Sequence, residues 1–158
     1  MKNKKILQGE EVGKEMERLR SEGKKIVFTN GCFDIIHAGH IQYLGEAKAL
    51  GDVLVVGVNS DASVGRLKTK RPIVPQDQRV EVLAALEMVS YVTIFAEDTP
   101  YEVIKLIMPD VLVKGGDWEI KDIVGADLVG EVYSLPYRPG ISSTGIIERI
   151  IERFCHSS

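Results

Sequence analysis

Thr29-Asn30-Gly31-Cys32-Phe33-Asp34-Ile35-Ile36-His37-Ala38-Gly39-His40 joins a short apolar run, Ile26-Val27-Phe28, to an amphipathic run from Ile41 to Leu50. This order reads as a buried strand, a turn and the start of a helix. The first turn of a helix carries unpaired backbone N–H groups and the positive end of the helix dipole, so a site there favours phosphate or another anion. His37 and His40, three residues apart at that helix start, add side-chain donors to the same place. Gly39 between them lacks a Cβ and lets a ligand approach the backbone.

Upstream, Val12, Met16 and Leu19 recur at helical spacing in a charged segment that closes at Gly23, which predicts an N-terminal amphipathic helix. Downstream, Ile41, Leu44, Ala47 and Leu50 share one helix face, and Val53-Leu54-Val55-Val56-Gly57-Val58 has the β-branched continuity of a strand covered on both faces. Strand, helix, strand predicts a right-handed parallel unit. Residues 59–75 read as a long basic loop. A helix is expected over 76–86, a strand over 91–95, and a helix to Met108 that opens on Thr99-Pro100-Tyr101-Glu102 as N-cap, first-position proline and capping-box glutamate. Val111 to Val113 reads as a strand, 120–129 as a helix weakened at Gly125, and 132–135 as a short strand. Ser142-Ser143-Thr144 opens a last helix with Ile146, Ile147, Ile150, Ile151 and Phe154 on its buried face. The expectation is α/β: a doubly wound five-stranded parallel sheet, with residues 1–23 as a helical extension and 24–158 as one domain.

The chain has 158 residues, a formal charge of −3 and a pI near 5.7. That balance gives no global attraction to nucleic acid or an anionic membrane, so an anion site must be local and its ligand small. Cys32 and Cys155 form no disulfide framework, no apolar run reaches membrane-spanning length, and no signal peptide is evident, which together lead to a cytoplasmic expectation.

In doubly wound sheets ligands bind beyond the carboxyl ends of the strands. The turns entering the strands here are short, whereas the exits hold Asn30 to His40, Asn59-Ser60-Asp61, Lys114 to Trp118 and Arg138 to Thr144. A His-x-x-His pair also suits a metal, but zinc needs three or four protein ligands, and the remaining histidine is His156 in the tail. Both the G-x-x-x-x-G-K-[ST] phosphate loop and the G-x-G-x-x-G fingerprint are absent. Phosphate binding by His37 and His40 is therefore the favoured reading. Lys68 and Lys70 lie in a basic loop placed to cover phosphates, against the plain alternative of a solvated loop. Arg79 is a phosphate candidate or an ordinary ion-pair partner. Asp61 is a candidate for sugar hydroxyls or an N-cap. Asp34 orients a cation or is structural in its turn. Gly145, a poor helix former in a first turn, fits a helix start whose N–H groups and hydroxyls face phosphate.

Gly31-Cys32-Phe33-Asp34 with His37-Ala38-Gly39-His40, then Val113 to Trp118, then Gly140-Ile141-Ser142-Ser143-Thr144 resemble the motifs of the cytidylyltransferase-like nucleotidyltransferases, which have a Rossmann-like fold. Asn59 to Ser63, Arg71-Pro72, Gln78-Arg79 and Glu97 to Pro100 extend the resemblance towards the adenylyltransferases of bacterial ADP-heptose synthesis. The resemblance implies AMP transfer from ATP to D-glycero-β-D-manno-heptose 1-phosphate, with pyrophosphate released, for lipopolysaccharide or surface glycan synthesis. It implies catalytic His37, His40 and Lys68, and nucleotide contacts from Asn30, Gly31, Cys32, Phe33, Asp34, Gly39, Arg79, Lys114, Gly115, Gly116, Asp117, Ser142, Ser143 and Thr144. Asp61, Lys70, Trp118 and Arg138 are the acceptor candidates. Mg²⁺ is expected on the ATP phosphates, with no protein ligand assigned. The resemblance also implies a homodimer, a stand-alone form served by a separate sugar kinase and phosphatase, and no nucleic-acid or membrane partner. Glycerol-3-phosphate cytidylyltransferase and FMN adenylyltransferase activities are alternatives on the same fold, and a non-catalytic nucleotide-binding module is a third. One departure is that the arginine three before the glycine in R-T-E-G-I-S-T-T is Tyr137 here, with Arg138 one position later.

Overall fold

A computed structural model describes residues 2–155; His156 lies outside the described residues. Five strands, β1 (Ile26–Gly31), β2 (Val53–Asn59), β3 (Tyr91–Phe95), β4 (Val111–Gly115) and β5 (Glu131–Leu135), form one sheet in the order β3-β2-β1-β4-β5. Every pairing is parallel, with Ile26 opposite Val53, Val55 opposite Tyr91, Val27 opposite Val111 and Val111 opposite Glu131. The doubly wound expectation holds.

The period-two alternation of strand side chains divides the core between two faces. Ile26, Phe28, Val53 and Val55 pack with Val12, Met16 and Leu19 of α1 (Glu10–Ser21) and Val103, Ile104 and Ile107 of α5 (Tyr101–Ile107). Val27, Leu54, Val56 and Val58 pack on the opposite face with Leu44 and Ala47 of α2 (Ala38–Lys48) and Val80, Leu83 and Ala84 of α4 (Gln76–Ala85). β2, flanked by β1 and β3, is buried at every position, and at Gly57 an added Cβ would lie 2.7 Å from Phe28 Cζ. Gly57→Ala is expected to destabilise the protein by about 1–3 kcal/mol through overpacking. A denaturation midpoint unchanged from wild type would show that Phe28 has room to shift.

Four local expectations are corrected. Residues 59–75 are not all loop: α3 (Asp61–Leu67) forms, capped by Ser60, whose Oγ accepts the Ser63 N–H at 3.2 Å. It is too short for its one buried apolar residue, Val64, to show a period. Thr99 does not cap α5, because Pro100 occupies the cap position and no side-chain bond closes it. The predicted helix over 120–129 is instead two 3₁₀ turns, Ile120–Asp122 and Ala126–Leu128, separated by Gly125 in the left-handed region. Finally, the apolar face of α6 (Ser143–Phe154) is not buried: Ile150, Ile151 and Phe154 are exposed, and no described element covers them.

Candidate active site

The strand order reverses direction between β1 and β4, and a cleft of about 580 Å³ opens at their carboxyl ends. Asn30 and Gly31 of β1, Asn59 of β2, and Lys114 and Gly115 of β4 form its floor. Cys32, Phe33 and Asp34 of the β1–α2 turn, the α2 start, Lys68 and Arg71 of the loop after α3, and residues 141–144 before and within α6 form its walls. This is the position that a topological switch point dictates for a ligand.

The histidines are built into the helix start rather than appended to it. His37 is the N-cap of α2, and its Nδ1 accepts the Gly39 N–H at 3.1 Å; His40 Nδ1 accepts the His37 N–H at 3.2 Å. A backbone N–H only donates, so both Nδ1 atoms are unprotonated acceptors, and a neutral ring then carries its proton on Nε2. The two rings stack with centroids 3.9 Å apart, so the reciprocal cap fixes both donor edges together. Burial lowers the His37 pKa. Burial also pushes His40 down to about 4, with smaller contributions from His37 and Lys68. At neutral pH both imidazoles are therefore uncharged N–H donors.

This makes a pH prediction with a definite sign. The unfolded chain protonates His40 near its ordinary value of 6.5 and the folded chain only near 4. Between those values the unfolded state binds more protons, so stability is expected to fall as pH drops from 6.5 to 4. An NMR titration of the His40 ring nitrogens in the free protein should show a midpoint near 4. A midpoint near 6.5 would contradict the buried, capped arrangement.

Gly39 lines the cleft and also has a packing role. An added Cβ would lie 3.0 Å from the His37 ring and 3.2 Å from Ile141, so this glycine lets the histidine fold back over its own helix start. Phe33 is in the left-handed region at φ 47°, uncommon for a bulky residue. Its ring packs beneath Gly31 and lies 5.4 Å from the His40 ring. Below these rings, the hydroxyls of Thr29 and Tyr43 hydrogen-bond to each other, and Tyr43 donates to the Val113 carbonyl at 3.2 Å.

Lys68 and Lys114 line the cleft, and among the described residues neither has a carboxylate ion-pair partner. Burial lowers the Lys114 pKa, and Lys68 adds to that effect while Cys32 opposes it. The Lys114 ammonium stands 5.7 Å from the centre of the Trp118 ring. Two ammoniums unpaired with a carboxylate and two neutral N–H donors give the cleft a donor set of the kind that suits an anion.

Other candidates fall elsewhere. Arg79 does not line the cleft and is 1% exposed. Its guanidinium donates to the carbonyls of Val74 and Cys32 at 2.9 and 2.6 Å and to Asp61 Oδ1 at 2.8 Å. It cannot reach phosphate from there. Asp61 is therefore engaged by Arg79, outside the cleft, and is neither the expected sugar ligand nor the N-cap. Asp34 accepts the Ile73 and Val74 N–H groups at 2.9 and 2.8 Å, so it anchors the loop after α3 instead of a lysine. Lys70, Gly116, Asp117 and Trp118 do not line the cleft. Lys70 is exposed in the left-handed region, and Trp118 donates its indole N–H to the Gly115 carbonyl at 3.1 Å. The double glycine is explained by packing: a Cβ at either Gly115 or Gly116 would lie 3.0 Å from the Tyr137 ring.

Cys32, Arg138, Ser142, Ser143 and Thr144 do line the cleft. The three hydroxyls already have partners: Ser142 Oγ accepts the Gly145 N–H at 3.0 Å, Ser143 donates to the Ile35 carbonyl at 3.1 Å, and Thr144 accepts from Arg71 at 3.3 Å. Gly145 is accounted for by the Ser142 cap, which a Cβ would approach to 3.1 Å. Ser142 and Thr144 act only as acceptors in these bonds, so their O–H groups, like the free first-turn N–H groups of α6, remain available as donors to the cleft. The sequence reading missed Tyr43, Arg71 and Tyr137. Tyr43 was detectable one turn beyond His40 on the same helix face, Arg71 lay in the Arg71-Pro72 pair that resembles the family, and Tyr137 stood at the position of the late-motif arginine, but none of these signals gave the residue a place in the cleft.

Comparison with known proteins places this cleft among relatives. The bifunctional protein HldE of a Nitratiruptor species is 58% identical over 142 residues, covering 89% of this chain and 31% of that protein. The bifunctional protein HldE of Wolinella succinogenes is 56% identical over 146 residues, covering 92% of this chain and again 31% of that protein. The chain thus spans about 31% of the length of these curated relatives. Among solved structures, the lipopolysaccharide core biosynthesis protein from Thermoplasma volcanium superposes with a TM-score of 0.64 at 30% identity, covering 73% of this chain and 99% of that one. The model of the cytidylyltransferase-like family matches residues 28–149, the span from β1 into α6 that contains every wall of the cleft, and the chain belongs to the cytidylyltransferase-like family of nucleotidyltransferases.

Proposed function

We propose that the chain transfers AMP from ATP to D-glycero-β-D-manno-heptose 1-phosphate, giving ADP-heptose and pyrophosphate. The observation that carries the chemistry is the pairing of two neutral, Nε2-protonated histidines with Lys68 and Lys114 at the switch point. The identity of the sugar rests on similarity to the HldE proteins and to a lipopolysaccharide core biosynthesis protein. In the reaction an oxygen of the sugar phosphate forms a bond to the α-phosphorus. The bond from that phosphorus to the bridging oxygen breaks, and its electron pair leaves with pyrophosphate. Charge shifts among phosphoryl oxygens throughout, so the protein's task is positioning and electrostatic stabilisation. His37 and His40 donate to those oxygens without adding positive charge, which lets two lysines share the same small space. Cys32 lines the cleft but is not required as a nucleophile.

Mg²⁺ belongs on the triphosphate in this reading. Among the described residues no group of three His, Cys, Asp or Glu side chains is placed to hold a metal ion, and Asp34 is engaged by backbone. Bound there, the ion would supply charge neutralisation of the phosphates. Removing divalent cations with EDTA is expected to abolish turnover and leave the melting temperature unchanged. A lowered melting temperature would indicate a metal held by the protein itself.

No described helix is long and apolar enough to cross a membrane, and we place the enzyme in the cytoplasm with its ATP. The exposed face of α6 supports a homodimer, tested by sedimentation equilibrium; a monomer at micromolar concentration would oppose it. We place a sugar kinase upstream and a phosphatase elsewhere in the same pathway as separate activities. Pyrophosphate release measured for each nucleoside triphosphate with each acceptor tests the activity. Release only from CTP with glycerol 3-phosphate, or only with FMN as acceptor, would replace the proposal by that activity. Release with no pair would leave a nucleotide-binding module.

A further inference from the structure

One charged side chain in the cleft has no part in the histidine and lysine centre. Arg71 is nearly buried, with its side chain 13% exposed. One guanidinium nitrogen donates to Asp34 Oδ2 at 3.3 Å and another to Thr144 Oγ1 at 3.3 Å, so it bridges the β1–α2 turn and the first turn of α6. Neither contact requires an arginine. Both Asp34 oxygens already accept backbone N–H groups, from Ile73 and Val74. Both arginine contacts are also longer than the usual range for such bonds. A guanidinium presents five N–H donors in a rigid fork that matches phosphate bidentately, so roughly three remain for a ligand.

We propose that Arg71 binds the β- and γ-phosphates of the nucleoside triphosphate and holds the departing pyrophosphate at the first turn of α6. This rests on the adenylyl-transfer reading above. Arg71 is tied to the turn after β1 and to Thr144 in the first turn of α6, whereas His37 and His40 are fixed at the start of α2. In-line displacement places attacker and leaving group on opposite sides of the α-phosphorus, so it is served by anchors on different elements. The Arg71 side suits the leaving group. A sugar brings hydroxyl donors that need acceptors, and the acceptor nearest Arg71, Asp34, has both oxygens engaged. Pyrophosphate brings only acceptor oxygens, and the fork together with the free N–H groups of α6 supplies only donors.

The test is inhibition of the forward reaction by inorganic pyrophosphate in wild type, Arg71→Lys and Arg71→Ala, with KM for ATP and for the sugar 1-phosphate. AMP binding is measured alongside by calorimetry. Arg71→Ala is expected to raise the pyrophosphate inhibition constant and KM for ATP by about tenfold or more, the scale of losing a charge-assisted phosphate contact. AMP affinity and KM for the sugar should stay within about twofold, since the proposal gives the fork no contact with either. Arg71→Lys, which keeps the charge and loses the fork, should fall between. A raised KM for the sugar with unchanged pyrophosphate inhibition would overturn the proposal and make Arg71 an acceptor ligand. Unchanged kinetics with a lowered melting temperature would overturn it and leave a structural clamp. If wild type releases no pyrophosphate at all, the adenylyl-transfer reading fails instead. Calorimetric titration of inorganic pyrophosphate into wild type and Arg71→Ala then decides the role of Arg71 on its own: unequal affinity supports it and equal affinity overturns it.

Discussion

His40→Ala is expected to lower kcat by about two to three decades, the scale of losing one donor to a developing phosphoryl oxyanion. The variant also loses the acceptor that caps the His37 N–H at 3.2 Å, so helix stability and catalysis must be separated. His40→Gln does this, because a glutamine at this position of a capping box keeps an acceptor for the N-cap N–H. Its amide cannot also reproduce a ring N–H stacked against His37 at 3.9 Å. The expected pattern is near wild-type melting for His40→Gln with kcat still depressed by about two decades. Near wild-type kcat in either variant would show that the ring serves only to cap α2.

The largest expected effect on stability is at Arg79. Its side chain is fully buried, and its three hydrogen bonds tie the Cys32 turn, the Val74 loop and α3 together. Arg79→Met keeps much of the volume but leaves two carbonyls without their donor and Asp61 without its partner. Asp61 is half-exposed and regains water, whereas the Cys32 and Val74 carbonyls lose a charged donor. A loss of about 3 kcal/mol in denaturant unfolding is expected. A loss under about 1 kcal/mol would mean that water replaces the guanidinium at little cost. Because the Cys32 carbonyl belongs to the turn that leads into His37, the surviving folded enzyme should also show reduced kcat.

Arg79 also shows where sequence reasoning stops. At a helix start among Gln76, Asp77 and Gln78, its neighbours describe a solvated surface, and only the tertiary arrangement places the turn after β1 over it. The strands were legible because apolar β-branched runs have few other uses, and the cleft's edge was legible because the strand exits alone concentrate chemistry-capable residues. The histidine pair was legible as a donor pair at a helix start. That His37 Nδ1 would accept the Gly39 N–H and His40 Nδ1 the His37 N–H, and so keep both ring protons on Nε2, depends on ring rotamers that spacing does not specify.

The glycines were legible only in part for a related reason. A missing Cβ looks the same in sequence whether a ligand or a neighbouring ring approaches it: Gly39 and Gly115 line the cleft, and at Gly39, Gly115 and Gly116 a ring of His37 or Tyr137 also stands close. Arg71 was hidden among Arg66, Lys68 and Lys70, which share its loop or its border but not its position under Asp34 and Thr144. The amphipathic pattern of α6 was read correctly as a pattern. Its apolar face is nonetheless exposed, since a hydrophobic stripe identifies a surface that needs cover without saying which element covers it.

In the proposed reaction this cleft positions two substrates and stabilises phosphoryl charge with no enzyme nucleophile. The most direct measurement uses ATP made chiral at the α-phosphorus, converted to the nucleotide sugar and analysed for configuration at that phosphorus. A single in-line displacement by the sugar phosphate predicts inversion. Net retention would contradict the account, because it would require a covalent nucleotidyl intermediate on a side chain in the cleft such as Cys32 or a histidine.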